Sequence, residues 1–353
     1  MKILYLSCHA ILEYEEVKMF HELGHDVFSL NGSYQNPENP AEIDKRPGIN
    51  GFKPDQHLLD LAMQSSRANI HEGLLEWADV VIIMHKVDWI GSGKEWLKDL
   101  LPRCKKYNTK VVWRTIGQSH EHWENIVRQF SDLKIVRYSP MEKNIPGFAG
   151  ENELIRFGVD PEEYTGWTGG DNRVFVFGQS IKERNEFCGF PTIEIVTNSF
   201  NRVCYGSKNS PQEAKNPEYA IDWANGALSF EELKNKFRTA DVAFYTGTIP
   251  ASYTLSFIEM MMTGTPLVCI GRTLFNNEKF FRDHNLYEIP NIIKNGYNGF
   301  VSDSIIELKE YLSNLLKDED LRKKISAGAR ETALNLFNKN KIKVQWEEFL
   351  KKL

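Results

Sequence analysis

One thirty-residue run, Asp241–Ile270, limits what this chain can fold into more than any other part of it. Val242–Tyr245 and Leu267–Ile270 are short apolar runs bounded by Thr, Gly and Pro, the pattern of strands buried on both faces. Between them lie a polar loop, Thr246–Ala251, and a helical stretch near Ser252–Met262 whose apolar face carries a single carboxylate, Glu259. Gly264-Thr265-Pro266 closes the unit as a turn. Strand, helix and strand in this order make a parallel βαβ unit, since parallel neighbours need a crossover between them.

The same alternation runs through the first half of the chain. Lys2–Leu6, Asp26–Leu30, Asp79–Met84, Lys110–Trp113 and Lys134–Tyr138 read as strands, and Glu13–Leu23, Gln56–Trp77, Lys94–Tyr107 and His120–Phe130 as the helices between them. A loop rich in Pro, Asn and Gly occupies Asn31–Pro54. After a polar stretch with Gly and Trp, Pro161–Asp171, which reads as a linker, a second series starts at Arg173–Phe177 and runs to Phe337. Within it Pro191–Phe200 is read as helix and Arg202–Tyr205 as strand, because a parallel crossover needs a helix here although Thr192–Thr197 also has strand propensity. The expected architecture is α/β with two Rossmann-like domains, 1–160 and 161–337, and an amphipathic helix from 338 to 353 that packs back on the first domain through Ile342, Trp346, Phe349 and Leu350.

Length and composition agree with two cores. A chain of 353 residues exceeds the roughly 250–300 at which one core stops growing. A net charge of −5 gives no overall basic field for nucleic acid or an anionic membrane. The five cysteines are widely spaced with no Cys-x-x-Cys, as expected of small core residues in a reducing cytosol. Ile3–Leu6 is too short for a signal-peptide core, and no run approaches the ~20 apolar residues of a membrane span. A cytoplasmic protein is expected, and a peripheral contact at the cytoplasmic membrane face is compatible with this.

Candidate chemistry concentrates at strand ends, where open α/β sheets bind ligands and helix N-termini offer unpaired N–H groups to anions. Amides near Thr254, Leu255 and Ser256 are placed to hold a diphosphate, and Glu259 to accept ribose hydroxyls, although a lone buried Glu is as readily a structural one. Arg114, after a strand, meets either an acceptor or a carboxylate of the fold. Gly91-Ser-Gly93-Lys94 lacks the glycine and hydroxyl of a phosphate loop and reads as a helix start. Asp318-Glu-Asp320 reads as a solvated charge run, and the histidines show no metal-ligand spacing.

The sequence resembles the retaining glycosyltransferases of family 4, which have the GT-B architecture. Glu259-Met-Met-Met-Thr-Gly264-Thr-Pro266 matches the second half of the family's donor-site segment without a gap, and Ser252-Tyr253-Thr254 stands in its small-residue stretch. Gly226–Leu233, Phe237 and Ala240-Asp241 look like its glycine, Glu-Leu helix and Ala-Asp strand start. Asn295–Val301, Asp318–Arg322 and Gly328–Arg330 are similar to its closing segment. Gly178–Asn185 stands where the family has a loop with two cations for the donor pyrophosphate; Arg184 takes the place of the Lys, whereas Gln179 replaces the Arg. Lys182 reads as a solvated lysine. His85 stands where members carry a histidine facing the donor sugar. The resemblance covers residues 150–353 well and the first half loosely.

The resemblance implies two Rossmann-like domains facing a cleft, an N-terminal acceptor side and a C-terminal donor side. It implies transfer of a sugar from a nucleoside diphosphate sugar to a hydroxyl of a glycan, glycolipid precursor or other small molecule. Retention of configuration is expected, with no metal and no cofactor beyond the donor. Arg184 and His85 would act at the reacting centre, and Gly178, Gln179, Thr254, Leu255, Ser256 and Glu259 would hold the donor. One departure matters: the family's first Glu falls on Ala251. This leaves open a different sugar, a non-catalytic binder of nucleotide sugars or glycans, or a sugar-nucleotide epimerase. The donor base, the acceptor and the oligomeric state are not written in the sequence.

Overall fold

The computed structural model describes residues 1–7, 9–30, 46–53, 55–66, 69–84, 93–117, 121–275 and 286–353. It divides into two compact units, Met1–Phe157 together with Lys339–Leu353, and Gly158–Asn338.

Unit 1 holds strands β1 (Lys2–Leu6), β2 (Asp26–Ser29), β3 (Val80–Met84), β4 (Lys110–Arg114), β5 (Leu133–Arg137) and β6 (Glu153–Leu154) in the order β2-β1-β3-β4-β5-β6. Its helices are α1 (Ala10–Glu22), α2 (Gln56–Met63), α3 (Glu72–Trp77), α4 (Gly93–Lys106) and α5 (Glu121–Val127). Every strand pair is parallel, so the strands need cover on both faces; β3 is fully buried along its Val-Val-Ile-Ile-Met sequence. The single helix expected over Gln56–Trp77 is two. Ser65 turns its hydroxyl back onto the Leu61 carbonyl and accepts the His71 N–H, and Asp55 and His71 each cap a helix start. Side chains that bond nearby backbone compete with helix continuation in this way.

Unit 2 starts with a strap, Gly158–Gly170, that precedes its first strand. Its sheet contains β7 (Asp171–Phe177), β8 (Arg202–Tyr205), β9 (Ala240–Tyr245), β10 (Leu267–Ile270) and β11 (Phe300–Ser302) in the order β11-β10-β9-β7-β8, again all parallel. The helices are α6 (Ile181–Arg184), α7 (Phe190–Thr197), α8 (Phe230–Thr239), α9 (Leu255–Thr263), α10 (Arg272–Phe275), α11 (Ile289–Ile292), α12 (Ile305–Lys317) and α13 (Glu319–Leu336). Asp318 joins the last two by accepting the Leu321 N–H, so the Asp-x-Asp run begins with a helix cap. Among the described residues no helix is long and apolar enough to cross a membrane, and no cluster of His, Cys, Asp or Glu could hold a metal ion. Read in chain order, both sheets have their first and third strands side by side, and there the strand order reverses. Ligands of doubly wound sheets bind outside the carboxyl ends of such a pair.

A final helix, α14 (Lys339–Leu350), belongs to unit 1. Ile342, Trp346, Phe349 and Leu350 are its buried residues, and Trp346 meets Phe20 of α1 edge to face at 5.1 Å. Glu22 binds both Lys339 (3.1 Å) and Lys343 (2.9 Å). Burial works to raise the Glu22 carboxyl, but the two ammonium groups outweigh it and hold the group below its usual value.

Arg114, at the end of β4, is wholly buried and meets a carboxylate of the fold, not an acceptor. Its Nε and terminal nitrogen lie 2.9 and 2.8 Å from Glu16 of α1, which also accepts from Tyr5 of β1. The other terminal nitrogen donates to the carbonyls of Arg137 (3.2 Å) and Ile155 (2.6 Å). The guanidinium stacks 4.1 Å from the Phe157 ring and 5.4 Å from Trp346 of α14. Arg114→Met would strand Glu16 in the core, and we expect stability in urea to fall by about 3–5 kcal/mol, the usual cost of breaking a buried pair from one side. The Glu22 pairing predicts a separate pH effect. Because the folded value is depressed, its contribution is complete above the unfolded value of 4.5 and is lost as pH falls through the lower folded value. Glu22→Gln should therefore flatten the stability–pH curve below 4.5 in urea titrations at stepped pH.

Candidate functional site

The switch point of unit 2 lies between β7 and β9, and the loops that leave these strands carry most of the sequence-predicted donor residues. After β7 the chain turns through Gly178 and Gln179 into α6, whose last residue is Arg184. Ser180 and Asn185, on either side of that single turn, have φ of +47° and +42°, which non-glycine residues seldom adopt. Strain of this kind persists only where surrounding bonds impose it. Around Ser180 they come from Asn209, fully buried in the loop after β8. Its amide donates to the carbonyls of Gly178 (2.6 Å) and Gly206 (2.9 Å), and its oxygen accepts the Ile181 N–H (2.8 Å). Gly206 must lack a side chain: at φ +121° a Cβ there would lie 2.0 Å from the Gly178 oxygen.

Arg184 stands exposed at the end of this turn, and among the described residues its guanidinium has no hydrogen bond or ion pair. Its charge is nonetheless felt at Cys188, whose thiol burial pushes up while Arg184 draws it down. Lys182, in contrast, is tied to the Ala220 carbonyl at 2.9 Å and is not the solvated lysine the sequence suggested.

The loop after β9 is fastened to the Arg184 loop. Thr246 donates to the Cys188 carbonyl (2.7 Å), and the Ile249 N–H donates to the Phe187 carbonyl (2.9 Å). Gly189 leaves room for this approach, since a Cβ there would come within 2.8 Å of the Thr246 Cβ. Beneath Gly247 lie the stacked rings of Phe275 and Tyr287, 3.9 Å apart. The Glu288 N–H donates to the Ser252 carbonyl at 3.0 Å. Ala251, which stands where the family it resembles has a Glu, donates its N–H to the Thr248 carbonyl at 2.7 Å.

These contacts deliver the chain to the start of α9 in a set geometry. Thr254 is its N-cap, but the hydroxyl caps no amide; it bonds Ser256 (2.9 Å) and the Tyr245 hydroxyl (3.1 Å). The Thr254 N–H, expected to be open, is spent on Tyr245 at 3.1 Å. Burial raises the Tyr245 phenol further above neutrality, so it serves as a neutral partner. Among the described residues the N–H groups of Leu255 and Ser256 have no partner. Unpaired first-turn amides and the positive end of the helix dipole attract anions.

Glu259 sits one turn along α9 and is 2% exposed. One of its oxygens accepts the Tyr164 hydroxyl at 2.7 Å. Long side chains in helices lean over the turn N-terminal to their own Cα, which here is Leu255–Ser256. His85 lies outside the described residues. The structure thus brings Arg184, Gly178, Gln179 and the Thr254–Ser256 turn to one switch point, with Glu259 behind it.

No family model matches the chain, and no curated protein matches it in sequence. Solved structures do match in shape. The Anabaena protein Alr3699/HepE, in complex with UDP and glucose, aligns over 100% of both chains with a TM-score of 0.62 at 13% identity. A glycosyltransferase from Rickettsia africae ESF-5 aligns over 99% of this chain and 98% of its own, with a TM-score of 0.64 at 14% identity. The fold is GT-B.

Asn209, Tyr245 and Tyr164 escaped the sequence reading. Asn209 sits in a stretch with no periodic pattern, and Tyr164 in what reads as a linker. Asn209→Ala should leave three buried backbone groups unpaired and release the strained turn. We expect a loss of about 1–3 kcal/mol in urea unfolding, with faster amide exchange at Ile181 as the local signature.

Proposed function

We propose that the protein is a glycosyltransferase that moves a sugar from a nucleoside diphosphate sugar to a hydroxyl acceptor, with unit 2 as the donor-binding unit. The observation that carries this reading is the fastening of the segment that follows Arg184 to the loop that leads from β9 into α9, which gathers a chain with an unpaired cation and a chain with unpaired amides at the strand ends of the switch point. This is an arrangement suited to a diphosphate. In the reaction the bond from the sugar's anomeric carbon to the β-phosphate oxygen breaks, and its electron pair stays with the diphosphate. Arg184 and the amides of Leu255 and Ser256 stabilise the charge that grows there, and they matter most at the transition state. The acceptor oxygen bonds the anomeric carbon, and its proton passes to the departing phosphate oxygen. Attack from the leaving-group face retains configuration and needs no base from the protein. Glu259 would bind the ribose hydroxyls. Fixed cationic charge does what a divalent ion does in other transferases, so no metal is required in this scheme.

UDP and UDP-glucose are bound in the Anabaena structures, which makes uridine donors the first to test here. Ala251 favours a second reading, a binder of nucleotide sugars that does not turn them over. Arg184→Ala separates the two. We expect wild type to gain thermal stability with one of UDP-, GDP- or ADP-glucose and to release the diphosphate with an acceptor, and the variant to lose kcat roughly ten- to hundredfold as well as donor affinity. Stabilisation by a donor without release of its diphosphate would establish the binder. Stabilisation by none would remove the donor site.

A further inference from the structure

Tyr164 belongs to the strap that begins unit 2, and it is held on every side. Its N–H donates to Asp160 at 3.1 Å. Its carbonyl accepts from Arg330 at 2.7 Å, and the same guanidinium binds the Pro161 carbonyl (3.0 Å) and that of Met262 at the end of α9. The carbonyls on either side, Glu163 and Thr165, accept from Arg238 at 3.3 and 2.8 Å. The ring meets Phe230 of α8 edge to face at 6.3 Å, and the residue is 1% exposed. With backbone and ring both fixed, the hydroxyl has one place to be, and there it donates to Glu259 at 2.7 Å.

Glu259 needs such a partner. Its side chain has several rotors, and it rises from a helix whose neighbouring residues Phe257, Ile258, Met260, Met261 and Met262 are all buried. An undirected carboxylate there would pay both for desolvation and for the rotor freedom lost on meeting a ligand. A donor on a rigid tyrosine removes much of the second cost, because support behind a binding group decides how precisely that group is aimed.

We propose that Tyr164 is a positioning residue for the donor site: its hydroxyl aims the Glu259 carboxylate toward the first turn of α9, where that carboxylate receives the ribose hydroxyls of the nucleotide. The proposal rests on the reading of unit 2 as a donor-binding unit. It also makes the strap a part of the binding site and not only a connection.

Calorimetric titration with UDP, GDP and ADP, and with the 2′,3′-dideoxy form of whichever binds, tests it. Tyr164→Phe keeps the ring and removes only the hydroxyl. The ribonucleotide should bind it about tenfold more weakly, while the dideoxy form binds as it does to wild type, since the loss acts through the ribose hydroxyls. In a Glu259→Gln background Tyr164→Phe should add nothing. Should the phenylalanine variant fail to fold, Arg238→Lys, which loosens the hold on the Glu163 and Thr165 carbonyls on either side of Tyr164 and leaves Glu259 intact, should show the same selective loss. Equal weakening of both nucleotides would mean that Tyr164 serves stability alone, and unchanged affinity would mean that Glu259 needs no aim; either overturns the proposal. If Glu259→Gln discriminates between the two nucleotides and Tyr164→Phe does not, the proposal falls while the donor site stands. If no nucleotide binds wild type, both fall together.

Discussion

A buried guanidinium organises unit 1. Arg114 could not enter the core without satisfying its charge and its donors, and the groups that do so come from each part of the unit that must be held. Glu16 ties it to α1, the Arg137 and Ile155 carbonyls tie it to the far edge of the sheet, and Phe157 and Trp346 cover its faces. Phe157 is where the chain leaves this unit, and α14 is where it returns. One planar cation therefore touches both passages. The net energy of such a cluster over an apolar substitute is small; what it specifies is arrangement.

Unit 2 solves a different problem. Its candidate site is made of short turns with little intrinsic stability, α6 being a single turn of four residues. Precision comes from cross-links between loops that are distant in sequence: Asn209 under Gly178, Thr246 on Cys188, and Tyr245 on Thr254. Each uses a neutral side chain to occupy a backbone group that would otherwise be open. At these turns, among the described residues, the Arg184 guanidinium and the N–H groups of Leu255 and Ser256 have no hydrogen-bond partner, and groups of this kind attract anions.

Much of this was legible in the sequence because it rests on local patterns. Strands such as Val80–Met84 and the Gly-Thr-Pro turn after α9 follow from apolar runs and breakers, and the two-fold βα series gave the α/β fold. The segments that begin at Gly178 and Thr246 follow strands β7 and β9 as the apolar runs before them suggest, because that placement depends only on topology. What escaped depends on partners far along the chain. Nothing near Arg114 reveals that its carboxylate is Glu16, and nothing near Glu259 reveals Tyr164. The Thr254 amide looked available because a helix start is read from its own residues, whereas the group that occupies it hangs from the preceding strand.

The return of the chain to unit 1 has a consequence for how the molecule is made. Val159 and Asn338 form an isolated parallel bridge at the two ends of unit 2, and the whole of that unit is an insertion between Phe157 and Lys339. A ribosome builds β1 through β6 first, yet Phe20 and Arg114 have no Trp346 to cover them until unit 2 has been synthesised. Domains fold in the order in which they emerge when each is continuous in sequence. Here the unit that starts first must finish last, and its core waits with an apolar face open while the inserted unit completes its own.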